Sequence, residues 1–375
     1  MNKICSRCVM DQTDAAISFD NYGVCDHCQT FDQKIAPYWK NDRSNFNQFR
    51  ANIEKMKAAG KGRDFDCIIG MSGGVDSSYL LHLAVTDFDL RPLVFHVDAG
   101  WNSQQAVHNI EQIVNKHGLD LYTEVINWEE MKDLQLAFFK SGVPHVDTPQ
   151  DHAFFATMYK FANKYDVKHI LTGGNFSTEC IRNPIEWMYY QSDDWQIRSI
   201  HARFGARKLE TFPLANILWF KVYLPYIRNI KLYRPLDFIE YNKEKAVQIL
   251  ENEYGYQSYK QKHFESRFTR FYESYWLPQK FGYDTRKVQY SSLILTGQMT
   301  REEALEKLNS PAHDANLLDD DFQFIANKLD ISVDELRGYF NAPNKTYRDY
   351  RNQDFLYRFG AKVLRAFGKE RGGKR

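Results

Sequence analysis

Residues 65–78 read Phe-Asp-Cys-Ile-Ile-Gly-Met-Ser-Gly-Gly-Val-Asp-Ser-Ser, an apolar run that passes through a serine-and-glycine bend straight into a helical pattern. Phe65 to Met71 predicts a strand, and the pattern from Asp76-Ser77 through Leu83 predicts a helix. Two glycines in the bend let the backbone come close to an anion, while serine hydroxyls and the free amides of a helix N-terminus are donors for phosphate oxygens. Ser72, Gly73, Gly74, Asp76 and Ser77 are therefore the expected phosphate-binding residues. Asp76 is assigned to Mg2+, because a carboxylate beside phosphate needs a cation between them. The lysine of a Walker A loop is absent here. A plain serine-glycine turn is the structural alternative, and the strand-to-helix position speaks against it.

Downstream, Pro92 to Val97, Leu119 to Ile126 and Val167 to Thr172 are further short strand patterns. Between them lie helical patterns, one after the cap Ser103 and one over Gln150 to Tyr165. Strand alternating with helix predicts an α/β fold, a parallel sheet with helices on both faces, and such sheets bind ligands at the carboxyl ends of their strands. Asp98, in His96-Val97-Asp98-Ala99-Gly100-Trp101, and Gly173 and Asn175, in Thr172-Gly173-Gly174-Asn175, end two of these strands and are expected at the same site. Either segment alone would read as an ordinary strand-ending turn.

Four of the six cysteines lie in the first forty residues, as Cys5-x-x-Cys8 and Cys25-x-x-Cys28. Four thiolates at that spacing can close a tetrahedral structural Zn2+ site, and so short a segment has little core of its own. Disulfides or a redox pair are the alternatives, and His27 is a weaker ligand candidate. The expected division is a zinc module over 1–40, a linker helix over 41–63, the sheet domain over 64–180 and a mainly helical region over 181–375. Within the last, helices are expected near Leu214 to Ile230, Lys243 to Tyr254, Glu265 to Tyr275 and Thr300 to Lys307, the final one opened by a Thr300/Glu303 capping box.

The stretch from Lys262 to Arg270 sets charges among aromatics, and on a helix His263, Arg267 and Arg270 share a face. With Glu265, Lys280 and Arg286 they are the expected substrate-binding groups, against the plainer alternative of a solvated helix face. Glu179 is a candidate to orient ammonia or Mg2+, and Cys180 a candidate reactive thiol. Lys+Arg is 49 against Asp+Glu 48, so a net charge of +1 gives no global field for nucleic acid or an anionic membrane, although a local basic patch is compatible with it. The longest uncharged apolar stretch, Thr211 to Phe220, stops at Lys221, and Met1 to Cys5 has no apolar signal segment. A cytoplasmic protein without membrane or nucleic-acid partners is the expectation. The basic tail from Lys369 reads as a frayed end.

The bend resembles the PP-loop of the ATP pyrophosphatases, whose adenine nucleotide α-hydrolase-like fold cuts ATP between the α and β phosphates. Taken with CSRCVMD, ISFDNYGVCDHC, PQDHAFFATMYKFA, LTGGNFSTE, HFESRFTRFYESYWLPQKFGYD and SSLILTGQMTREEAL, nearly the whole chain is similar to the bacterial N-acetyl sugar amidotransferases of surface-polysaccharide and nonulosonic-acid synthesis. It departs from them at Ala15, where proline is usual, and at Cys180, where a small residue is usual. The resemblance implies ATP, Mg2+ and structural Zn2+ as cofactors. It also implies Asp76, Glu179, His263 and Arg267 as catalytic residues, and adenylation of an N-acetyl group on a nucleotide-activated sugar, followed by displacement of AMP by ammonia. Residue 2 is Asn, not the cysteine of a fused glutaminase, so ammonia is expected from a histidine-biosynthesis-type glutaminase with a cyclase-like barrel subunit. A transfer-RNA thiolase, amidation of a sugar carboxylate and a non-enzymatic nucleotide-binding scaffold are the competing readings.

Overall fold

The computed structural model describes residues 3–259 and 264–366. The expectations for His263 and for the basic tail from Lys369 therefore lie outside the described residues. Strands β1 (Cys67–Gly70), β2 (Pro92–Asp98), β3 (Leu121–Val125), β4 (His169–Leu171) and β5 (Lys231–Tyr233) form one sheet in the order β3-β2-β1-β4-β5, and every neighbouring pair is parallel. In β1, Cys67 and Ile69 join one core while Ile68 joins the other; in β2, Val94 and the set Leu93, Phe95 and Val97 divide likewise. Both faces of the central strands are thus apolar and covered, as a parallel sheet requires.

The chain steps from β1 outward to β2 and β3, then returns to place β4 on the other side of β1. The crevice beyond the carboxyl ends of β1 and β4 is the topological switch point, where ligands bind in open parallel sheets. The predicted helices are present with shifted ends, including Val75–Thr86, Gln104–His117 capped by Ser103, Thr148–Lys164 and Lys243–Tyr254. Thr300 and Glu303 form the expected capping box.

Two expectations need correction. The sheet is not confined to the expected 64–180 segment, because Lys231–Tyr233 returns as the edge strand β5. Three residues carrying a lysine are too short and too polar for a periodicity signal. Of the helix expected over Leu214 to Ile230, a π-type turn spans Trp219–Ile227 with Pro225 inside it, where a proline cannot donate to a regular ladder. The helix Phe46–Gly60 buries Phe49, Ile53 and Met56 in the core shared with β1, so this segment is packed against the sheet.

His145 and His152 are fully enclosed, and burial holds both imidazoles down at about 4. His152 Nδ1 donates to Gln191 O at 2.7 Å, and its bare Nε2 accepts the Ala215 amide at 3.0 Å, a pairing only the neutral ring can make. The unfolded chain binds protons to these histidines near pH 6.5 while the folded one does not. Stability contributed by the neutral rings is therefore complete above pH 6.5 and declines as pH falls toward 4, by on the order of 3 kcal/mol per ring. Urea midpoints measured from pH 7 to pH 4 should fall steeply, and less steeply in His152→Gln.

Candidate functional site

The strand β1 delivers Ser72 to the crevice, and the helix Val75–Thr86 starts two residues after Gly73, with no side chain capping its N-terminus. The bend is held from within: Gly74 N donates to Ser72 Oγ at 3.2 Å, the Ser72 amide donates to Ser77 Oγ at 3.4 Å, and the Ser77 hydroxyl donates to Gly74 O at 3.2 Å. It is also held from behind, where Tyr256 Oη donates to Gly73 O at 3.1 Å. Gly73 has φ +82°, and a Cβ there would lie 2.7 Å from Ala106 O. A Cβ on Gly173, at the end of β4, would lie 2.7 Å from the backbone of Asp76 and of Ser77. Both glycines thus serve close backbone contacts, Gly73 with Ala106 and Gly173 with the start of the helix, where the sequence suggested approach to an anion or nucleotide; Gly173 is on the cavity wall and Gly73 is not.

A cavity of about 600 Å3 opens in front of the bend. Ser72, Gly74, Asp76, Ser77, Gly173 and Glu179 form one end, and Phe95, Val97, Phe154, Phe155 and Met158 an apolar side. The far side is polar. Gln150 Nε2 donates to Asp147 Oδ1 at 3.1 Å and to Thr269 Oγ1 at 3.0 Å, and Thr269 Oγ1 donates to Asp147 Oδ2 at 2.9 Å. Asn102 and Ser266 make an isolated bridge and Ser103 N donates to Glu265 O at 3.0 Å, which draws Glu265, Ser266, Thr269 and Glu273 onto the cavity wall.

Asp76 accepts a hydrogen bond from Tyr241 Oη. Tyr241 is buried, and burial together with the Asp76 charge pushes its hydroxyl well above the usual range, so it stays protonated and keeps donating. Sequence reasoning missed Tyr241, as it missed Lys243, a cation on the cavity wall, and His96, which donates through Nδ1 to Met71 O at 2.8 Å and accepts from Asn102 at 2.8 Å. Gln150 lies within the quoted PQDHAFF stretch and Asp147 two residues before it, and these uncharged and acidic groups at the start of a helix were the available signal.

Several expected residues are placed elsewhere. Asp98 Oδ1 accepts the Gly100 amide at 2.8 Å, and Asn175, wholly buried, caps the turn Phe176–Glu179; neither is on the cavity wall. Arg267 and Arg270 do not offer cations to a ligand, since both grip the fully buried Asp321, at 2.8 and 2.5 Å. Lys280 donates to the carbonyls of Phe340 and Ala342, and Arg286 to Asp284 and the Ser310 carbonyl. Those cations close backbone and carboxylate acceptors inside the helical region, a demand that spacing alone does not reveal. Cys180 packs beside the N-terminal cysteines, and burial pushes its thiol up to about 12, which removes it as a nucleophile. Burial and then Asp66 push the Cys67 thiol up as well.

Cys5, Cys8, Cys25 and Cys28 are all buried, with every ligand atom within 4.8 Å of the others. A tetrahedron with metal–sulfur bonds of about 2.3 Å has sulfur–sulfur edges of about 3.8 Å. The pairs Cys8–Cys25 and Cys25–Cys28 stand 3.6 Å apart and Cys5–Cys28 3.9 Å, so the set fits a tetrahedral thiophilic ion. The amides of Arg7 and Cys25 donate to Cys5 Sγ at 3.4 and 3.2 Å, the kind of contact that steadies a thiolate. His27 is not a ligand, because it pairs with Asp14 at 2.8 Å.

Two substitutions separate binding from support. Arg267→Ala should cost about 1–3 kcal/mol, because a fully buried carboxylate loses one of its two guanidiniums, with nucleotide affinity by calorimetry unchanged; weaker nucleotide binding at full stability would restore Arg267 to the site. Gly173→Ala should cost a similar ~1–3 kcal/mol by pushing on the backbone of Asp76 and Ser77, and weaken nucleotide binding with it.

Residues 66–243 match the model of the phosphoadenosine phosphosulfate reductase domain, and residues 265–364 match that of the LPS biosynthesis protein WbpG-like, C-terminal domain. No curated protein matches the chain. The first match covers the sheet and its bend, and the second begins at Glu265, on the cavity wall. The chain is therefore a PP-loop protein related to LPS biosynthesis, with a parallel-sheet nucleotide domain, an N-terminal four-cysteine cluster and a helical C-terminal region.

Proposed function

We propose that the chain is an ATP-dependent N-acetyl sugar amidotransferase that makes an acetamidino sugar for LPS O-antigen. The carbonyl oxygen of the acetamido group on a nucleotide-activated sugar attacks the α-phosphorus of ATP, and pyrophosphate leaves. Ammonia then adds to the activated carbon, and AMP departs with the former amide oxygen, leaving the amidine. An amide oxygen is a poor leaving group, and conversion to a phosphate ester is what makes displacement feasible.

The observation that carries this reading is one cavity shared by the bend Ser72 to Ser77 and by Glu265, Ser266, Thr269 and Glu273 of the LPS-related domain. In it, the hydroxyls of Ser72 and Ser77 and the first amides of the helix Val75–Thr86 receive pyrophosphate, with Lys243 adding positive charge. Asp76 and Glu179 are hard oxygen donors beside the bend that would hold Mg2+, and the ion would supply positive charge toward pyrophosphate. Tyr241 keeps Asp76 oriented, and Glu179 is also an acceptor placed to orient ammonia. The apolar side formed by Phe154, Phe155 and Met158 suits the adenine ring, and the Asp147-Gln150-Thr269 network suits sugar hydroxyls.

Among the described residues no cysteine lines the cavity, which favours amidation over sulfur transfer and agrees with ammonia arriving from a separate histidine-type glutaminase with its cyclase-like barrel. The four-cysteine cluster takes structural Zn2+.

With ATP, ammonium and a nucleotide-linked acetamido sugar lacking a carboxylate, AMP and pyrophosphate should form in step with an amidine product. Label placed as 18O in the acetamido carbonyl should emerge in AMP; ADP, or unlabelled AMP, would sink the reading. Asp76→Asn should slow turnover by about 10²–10³-fold. Glutamine should replace ammonium only after the glutaminase is added. Metal analysis should find one zinc per chain, and chelation should lower the melting temperature.

A further inference from the structure

The last described helix, Asp354–Ala366, is tied to the body mainly through Tyr357, with Phe355 touching Trp195 at a ring-centroid distance of 6.3 Å. Tyr357 stacks on Tyr190 at 3.9 Å and shares a hydrogen bond with Ser192 Oγ at 2.7 Å. Opposite that seam Phe355 is 59% exposed, Phe359 66% and Val363 38%. These three recur every fourth residue and form one apolar stripe over successive turns. Lys362 and Arg358, both exposed, run along the edge of the stripe, one position before Val363 and Phe359; Arg358 also pairs with Asp354 at 2.8 Å.

Charge along the chain singles out the same segment. Residues 354–375 hold seven Lys and Arg against two Asp and Glu, a net +5 in a chain whose total is +1. The remainder is therefore acidic, and the positive charge is concentrated in the stretch of sequence that begins with this helix. A partner for this face must accept aromatic side chains into an apolar layer and carry negative charge close to it. No helix among the described residues is long and apolar enough to cross a membrane, so the face fits an interfacial contact rather than a span.

We propose that the helix Asp354–Ala366 docks the protein onto an anionic lipid surface, with Phe355, Phe359 and Val363 entering the headgroup–acyl boundary while Arg358 and Lys362 meet acidic headgroups. An interfacial helix needs an apolar face and a basic rim, and both are present. The contact is independent of the reaction proposed above, and its failure would leave that reaction untouched.

The test is co-sedimentation of the full-length protein with vesicles of phosphatidylcholine alone or mixed with phosphatidylglycerol. Binding is expected to the mixed vesicles and not to the neutral ones, and to fall sharply in 0.5 M NaCl. Lys362→Glu should weaken binding about twentyfold, since it changes the local charge by two. Phe355→Ser with Phe359→Ser should abolish it, with ATP-dependent pyrophosphate release and the melting temperature retained as proof of folding. Equal binding to neutral and acidic vesicles, binding unchanged in Lys362→Glu, or no binding to either would overturn the proposal. So would a dimer in light scattering that the double variant splits while vesicles are ignored, because the face would then belong to a second copy.

Discussion

The backbone of Gly173 lies against the first turn of the helix that follows the serine-and-glycine bend, with no room for even one carbon between them. This contact fixes how far β4 can stand from β1 at their carboxyl ends, and so fixes the width of the crevice. Behind the bend, Gly73 meets the backbone of Ala106 in the same way. The bend is therefore clamped between two backbones, and the helix that follows it starts with no side-chain cap over its first amides. Ligand affinity in such a site comes from preorganisation more than from contact area.

From that clamp the rest of the cavity follows. The C-terminal region is not appended at a distance: Phe268, Phe271, Tyr272, Trp276 and Phe322 share a core with Ile68, Phe95 and Ile170 of the sheet. Its first residues reach the crevice through the bridge between Asn102 and Ser266, so the part that matches the LPS-related model supplies one wall of the cavity. The cations of that region, Arg267, Arg270, Lys280 and Arg286, hold the wall rather than face the ligand.

The sheet, the bend and the four-cysteine cluster were legible because each rests on local chemistry: an apolar run, two glycines at a strand end, two Cys-x-x-Cys pairs. The strand Lys231–Tyr233 was not, since an edge strand of three residues has neither length nor period. Charged residues misled for a related reason. Sequence shows that Arg267 and Arg270 share a helix face, but Asp321, more than fifty residues away, claims both. Asp98 and Asn175 likewise serve their own turns, a short-range use of side chains that competes with any ligand. Tyr241 carries no motif and is visible only once the chain has folded it back onto Asp76.

The four-cysteine cluster shares its core with Cys180, Ile181, Trp187 and Val288, and Arg301 holds the carbonyls of Cys5 and Cys8. During synthesis the first forty residues therefore emerge long before the surfaces that complete them. Closing that separation costs chain entropy, which makes it a late event. Thiolates gathered around an ion would give the nascent segment local order in the interval. The cysteine segment is thus completed by residues between 180 and 301, and a ribosome paused before them would display a segment still waiting for its seat.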